Sequence, residues 1–336
     1  MITNNHILLR ENLSVDNVLL VPRMGILASR SGIQLYPFLY SSPMDTVTGY
    51  DLASSLNMAG HIPVVSRALK EDWEKSINLV KQEKLVFLAV GPQDASLHRL
   101  LNLLNKEPNL KVAVAIDIAH GHSIIGRQIT RLLRELPQVV EIMSGSICTA
   151  EAALDCINWG CTHLRCGIGN GSLCTTRLQT KIGFPGLSAV YRIFEATKHL
   201  HTHIIADGGI RSPGDAVAYL AAGATGVMLG KGFVRCKESA GWVDGLKHYR
   251  GQASQSFQIE NGKEAKYIEG EIGPEISPQG TVQDVVSQYE AGIKSAISYL
   301  GLSSLSELQP ENVEFIRQIT SGYIEETPHG LSRSSW

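Results

Sequence analysis

HIIADGGIRSPGDAVAYLAAGATGVMLGKGF, residues 203–233, opens with a short β-branched apolar run, HIIADGG, that ends on an aspartate and two glycines. SPGD then starts a helix, with Ser212 as the expected cap and Pro213 at the first helical position. The helix-forming segment SPGDAVAYLAAGA leads into a second apolar run, GVMLGKG (226–232). Strand, crossover helix and strand in that order predict two parallel strands.

The same alternation extends towards the N-terminus. FLYSSP (38–43), HIPVVS (61–66), KLVFLAV (84–90), KVAVAIDIA (111–119), EIMSG (141–145) and THLRCGI (162–168) are the other strand candidates. Amphipathic helical segments such as DWEKSINLVKQE separate them. Continuous apolar runs mark strands buried on both faces. Eight of them predict an α/β fold, a (β/α)8 TIM barrel, with a doubly wound sheet as the alternative. The informative residues fall where strands end: Asp45, Asp117, Gly167 to Thr176, Asp207 to Gly209, Gly230 and Lys231. Barrels carry their active sites at that end. The expected organisation is one catalytic domain over 1–336 with no inserted regulatory domain. Residues 249–280, polar and rich in glycine and glutamate, are expected to form a mobile flap, and 322–336 a weakly structured tail.

Composition narrows the function. With 336 residues, 43% of them hydrophobic, and a net charge of −2, the chain offers no basic field for nucleic acid. The six cysteines lack Cys-x-x-Cys zinc spacing, and a chain this long needs no disulfide staples. No signal pattern and no membrane-length apolar run is present, so a cytoplasmic protein is expected.

CGIGNGSLCTTR (166–177) is the second decisive stretch. Gly167, Gly169 and Gly171 permit close approach of a ligand, and free backbone amides in such a loop can hold a phosphate or a cation. Ser172 adds a hydroxyl. Cys174 stands at the barrel mouth as a candidate nucleophile, with Thr176 placed to relay a proton. A small core thiol is the alternative, and it is the reading kept for Cys148, Cys156, Cys161, Cys166 and Cys236, each of which sits in an apolar run or helix with no such loop. Asp207 can accept hydrogen bonds from ribose hydroxyls, while Gly208, Gly209 and the LGKGF stretch (229–233) can meet a phosphate.

SSPMDTVTG, GIGNGSLCTTR, IADGGIRSPGDA, GVMLGKGF and YRG resemble, in order, the blocks of the IMP dehydrogenase/GMP reductase family, over about residues 10–305. The resemblance implies a barrel, usually tetrameric, that binds a purine nucleoside monophosphate. It implies attack of Cys174 on purine C2 and hydride exchange with a nicotinamide cofactor. It also implies Thr176 as the catalytic threonine. Ser172, Gly209, Gly230, Lys231 and Tyr249 match phosphate-contacting positions, and Asp207 the ribose ligand. Gln252 and Ala253 fall where main-chain groups meet the base, and Asp117, Ala119 and His120 where the chain faces the nicotinamide. Carbonyls of Gly167, Gly169 and Cys174 are implied ligands of a monovalent cation such as K+.

Within the family, the dehydrogenase branch activates water with an Arg-Tyr pair on the flap, where this chain has Ser256 and Phe257. The reductase branch pairs the threonine with a flap Glu-Gly, matched by Glu269-Gly270, with Glu271 as the rival. This favours an NADPH-dependent reductase converting GMP, or a close analogue, to IMP and ammonia. A short IMP dehydrogenase using NAD, and a nucleotide-binding regulator with little activity, are the alternatives. Asn170, His120, Ser66, Arg67, Ser144 and Ser146 depart from the usual blocks near the base and cofactor positions.

Overall fold

Seven of the eight apolar runs enclose a strand, and EIMSG holds the last three residues of one that begins at Val139, because a parallel strand covered on both faces needs apolar side chains on both. The computed structural model describes residues 7–319 apart from 93, 263, 265 and 266. The expected tail, 322–336, lies outside the described residues. The strands are β1 (Leu39–Ser41), β2 (Val64–Val65), β3 (Phe87–Val90), β4 (Val112–Ile116), β5 (Val139–Met143), β6 (His163–Cys166), β7 (His203–Asp207) and β8 (Gly226–Leu229). Their order in the sheet is β1-β8-β7-β6-β5-β4-β3-β2, all parallel. A parallel bridge between Tyr40 and Ile62, just ahead of β2, brings the two ends together. There Ile62 N–H donates to Leu39 O at 3.0 Å. This is the (β/α)8 barrel.

Alternation along the strands sorts side chains into two layers. Phe87 and Ala89 of β3 and Ala113 and Ala115 of β4 join Tyr40, Val64, Met143, Ile205 and Met228 in one buried cluster inside the barrel. The intervening Leu88, Val90, Val112, Val114 and Ile116 pack outward under the helices. Large rings and methionines set against alanines fill the interior, so the barrel is a packed core and not a pore.

The helices obey their caps. Ser212 Oγ accepts from Asp215 N–H at the start of Pro213–Ala221, and Thr281 Oγ1 accepts from Asp284 N–H at the start of Val282–Tyr299. The segment expected as one helix over DWEKSINLVKQE is two, Lys70–Lys75 and Ile77–Lys81. Ser76 stands at the break, its hydroxyl donating back to Asp72 O at 2.7 Å. A two-stranded antiparallel ribbon, Val18–Leu20 with Phe315–Arg317, lies outside the barrel and was not expected from the sequence. No helix among the described residues is long and apolar enough to cross a membrane.

Two buried histidines make the fold acid-sensitive. His163 stacks on His203 at 4.4 Å and meets Phe87 edge-on at 4.8 Å. His61 accepts from Phe38 N–H at 3.4 Å through Nδ1. Burial pushes His61 down to about 4, and burial together with the nearby His203 pushes His163 down to about 3. Both values lie below the unfolded imidazole near 6.5, so the unfolded chain binds more protons between the two. Stability is therefore full above that range and falls as pH drops through it. Between pH 6 and pH 4 each histidine is expected to cost about 2 kcal/mol. Urea unfolding of the wild type and of His163→Gln at both pH values checks this: the variant should lose less on acidification.

Candidate active site

The glycine–cysteine loop leaves the C-terminal end of β6. Gly167 N–H donates to Ile147 O at 2.9 Å, which fixes the loop's exit. Cys174 N–H closes a turn onto Gly171 O at 3.1 Å, and a short helix, Thr176–Thr180, follows. Gly208, after β7, adopts φ +88°, and a Cβ there would lie 2.8 Å from Asn170 C and Gly171 N. A glycine at 208 is thus what lets the two strand-end loops touch.

Residues 269–271 of the expected flap fold back over this loop. An antiparallel bridge pairs Cys174 with Gly270. On its two sides Thr175 N–H donates to Glu269 O and Glu271 N–H to Leu173 O, both at 2.9 Å. The register sets Glu269 across from Thr175 and Glu271 across from Leu173. Thr176 Oγ1 accordingly donates to Glu269 Oε2 at 2.7 Å. The Cys174 thiol lies 3.2 Å from Thr176 Oγ1, to which it donates. Thiol, hydroxyl and carboxylate form one hydrogen-bonded line. Glu271, the rival from sequence, is exposed.

The other cysteines sit elsewhere. Cys156, Cys161, Cys166 and Cys236 are buried, and Cys148 is half-buried. Burial raises the thiols of Cys148, Cys166 and Cys236, the last to about 12.

Ser172, two residues ahead of Cys174, lines a cavity of about 340 Å³ together with Asp207, Gly208, Gly209, Gly230, Lys231 and Tyr249. These come from the ends of β6, β7 and β8 and from the start of the flap segment. Ser172 Oγ and Tyr249 OH are 3.2 Å apart. Backbone at glycines, two hydroxyls and a lysine form a lining suited to an anion. Asp207 stands at its inner edge, with Arg165 Nε 2.7 Å from Oδ2. A larger groove of about 780 Å³ runs between Val18–Leu20 and Pro213–Ala221; it is lined mainly by apolar side chains, and its Arg211 is paired with Asp16 and Asp215.

On the opposite side, Asp117 follows β4 directly and is buried. It receives Arg67 Nε at 2.9 Å, Arg165 at 3.3 Å and Gln252 Nε2 at 3.0 Å. Ala119 and His120, two and three residues on, are exposed at the mouth. Gln252 also donates to Pro43 O at 2.7 Å, so its amide nitrogen ties the flap segment to β1's exit. Ala253 O accepts from Glu269 N–H at 3.3 Å and from Gln258 at 3.1 Å.

Phe257 is buried, and Ser256 Oγ accepts from Arg250 at 3.3 Å. The sequence shows no arginine at 256. In space, however, the Arg250 guanidinium stands 5.5 Å over the Phe257 ring, held by Asp45 at 2.9 Å and Glu260 at 2.8 Å. Arg165, Arg250 and Asp94 are site residues that the sequence reading did not assign. The one local signal among them is the charge of Arg165 between buried Leu164 and Cys166.

A barrel whose strand ends gather a hydrogen-bonded thiol and an anion-suited pocket has the build of a nucleotide-processing enzyme. The family model for the IMP dehydrogenase/GMP reductase domain matches residues 13–329, and the chain belongs to this family of purine nucleotide oxidoreductases. It is 29% identical to an inosine-5′-monophosphate dehydrogenase of Borreliella burgdorferi, over 96% of this chain and 98% of that one. It is 34% identical to one of Nitrosopumilus maritimus, over 75% of this chain and 55% of the relative. For one of Chlorobaculum tepidum the figures are 35%, 65% and 47%. The chain thus spans nearly all of the first relative and about half of the other two.

Proposed function

We propose that the protein oxidises IMP to XMP with a nicotinamide cofactor, through a covalent bond between Cys174 and purine C2. The observation that carries the covalent chemistry, whichever way the hydride moves, is the line Cys174–Thr176–Glu269, with Ser172 of the same loop lining the anion-suited cavity. The sequence reading favoured the reductase. The relatives' names favour the dehydrogenase, and the near-complete span of the Borreliella relative removes short length as an argument against it.

In this reading Ser172, Gly209, Gly230, Lys231 and Tyr249 hold the 5′-phosphate, and Asp207 accepts from the ribose. Gln252 and Ala253 border the base. With the nucleotide fixed at both ends, Cys174 gives up its thiol proton to solvent and its sulfur adds to C2. A bound nicotinamide dinucleotide supplies the acceptor for the hydride that leaves C2. Buried Asp117 beside exposed Ala119 and His120 fits one end of such a molecule. Water then adds to C2 of the thioimidate, its proton passing through Thr176 to the Glu269 carboxylate. Cys174 departs and XMP is formed.

A second reading, reduction of GMP to IMP, is favoured by the Thr176–Glu269 bond, the pair that marks the reductase branch, and by Ser256 and buried Phe257 where water activation would use Arg-Tyr. There the Glu269–Thr176 pair would give a proton to ammonia leaving C2, and NADPH would supply the hydride. Absorbance of the reduced cofactor separates the two. IMP with NAD should produce it; consumption of NADPH with GMP alone would establish the reductase instead. Nucleotide binding with no turnover in either mixture would leave only a regulator.

The carbonyls of Gly167, Gly169 and Cys174 are the donor type that replaces water around K+. On this proposal turnover rises when K+ replaces Li+. As in other members of the family, a homotetramer is the proposed assembly. Gly208→Ala puts a methyl group into the Cys174 loop, and a KM increase for IMP of about tenfold is expected. Steady-state kinetics checks it.

A further inference from the structure

Five charged side chains run in an unbroken line across the barrel mouth. Asp94, after β3, pairs with Arg67, after β2. Arg67 Nε meets Asp117 Oδ2 at 2.9 Å. Asp117 Oδ1 meets Arg165 at 3.3 Å, and Arg165 Nε meets Asp207 Oδ2 at 2.7 Å. The side chains of both arginines are 12% exposed and that of Asp117 5%. A guanidinium so far from water is tolerated only while its carboxylates stay in place. Arg165 projects from β6, where its neighbours Leu164 and Cys166 are buried and apolar. It is one cation serving two carboxylates that belong to different sites. Asp207 edges the cavity beside Cys174, and Asp117 leads to the exposed Ala119 and His120.

We infer that Arg165 is a positioning residue that makes nucleotide binding and cofactor binding interdependent. The inference rests on the proposed function, in which Asp207 meets the ribose and Asp117 faces the cofactor. A ribose hydroxyl donating to Asp207 shares the carboxylate with Arg165 Nε, which holds Oδ2, and weakens that bond. Any shift of the planar guanidinium towards Asp117 re-aims that carboxylate and, through Arg67, the bond to Asp94. Gln252, also on Asp117, carries the effect to the flap segment. Lysine cannot replace this function: its ammonium lacks the rigid fork that spans two partners.

The test is calorimetric titration of IMP into the protein with and without saturating NADH, a pair that cannot react together. The wild type is expected to show a change in IMP Kd of about fivefold or more on adding NADH. In Arg165→Lys the ratio should fall to within about twofold of unity, with both KM values raised by more than kcat falls. A melting temperature near that of the wild type separates this from loss of fold. An IMP Kd in the wild type that ignores NADH would overturn the inference, whether or not the variant folds. So would a folded Arg165→Lys that keeps the wild-type ratio. Failure of the wild type to bind either IMP or GMP would overturn the proposed function itself.

Discussion

Cys174→Ala is expected to lower turnover by about 10³-fold or more while IMP affinity changes by less than about threefold. The asymmetry follows from where the contacts lie. The proposed phosphate and ribose contacts come from Ser172, Asp207, Gly209, Gly230, Lys231 and Tyr249, none of which needs the sulfur. The reaction needs it at every step, because C2 exchanges its substituent only while bound to sulfur. Alanine in place of cysteine removes one polarizable atom from a half-buried position and leaves the Cys174–Gly270 bridge intact. Turnover assays combined with calorimetry read both quantities. A variant that kept more than a tenth of the activity would remove the covalent mechanism.

Glu269→Gln is expected to cost on the order of 10²- to 10⁴-fold in kcat, with KM altered only a few-fold. Glutamine keeps the shape and the hydrogen bond to Thr176 at 2.7 Å. It cannot take or give the proton. Because Thr176 has no charge of its own, it only passes on what Glu269 accepts or donates. Glu271→Gln is the matched control: its side chain is exposed and its backbone, not its carboxylate, pairs with Leu173. Equal losses in the two variants would show that flap charge in general, and not one proton acceptor, is being measured.

The barrel was legible because its strands are covered on both faces and therefore read as short apolar runs bounded by turn residues. Their ends were less so. HIPVVS contributes only Val64 and Val65 to continuous pairing, with Ile62 making a separate bridge. The break at Ser76 was not legible, since a hydroxyl folding back on Asp72 O leaves no mark in apolar spacing. Within the site, the glycine–cysteine loop and the Asp207–Gly209 turn announced themselves through local composition. The choice between Glu269 and Glu271 did not. It is set by the register of the flap against residues 173–175, a pairing of segments that β7 and β8 separate in the chain. The Arg165 line was hidden for a similar reason: its partners are 42 and 48 residues away in the chain. Only an arginine in an otherwise apolar strand hinted that something had to neutralise it.

Mass mapping of the protein, quenched in denaturant during turnover of IMP with NAD, tests the covalent step most directly. The account predicts a purine nucleotide mass on the peptide that carries Cys174, absent when cofactor or nucleotide is left out. Sustained turnover with no nucleotide on that peptide, or the nucleotide on another cysteine, would contradict it.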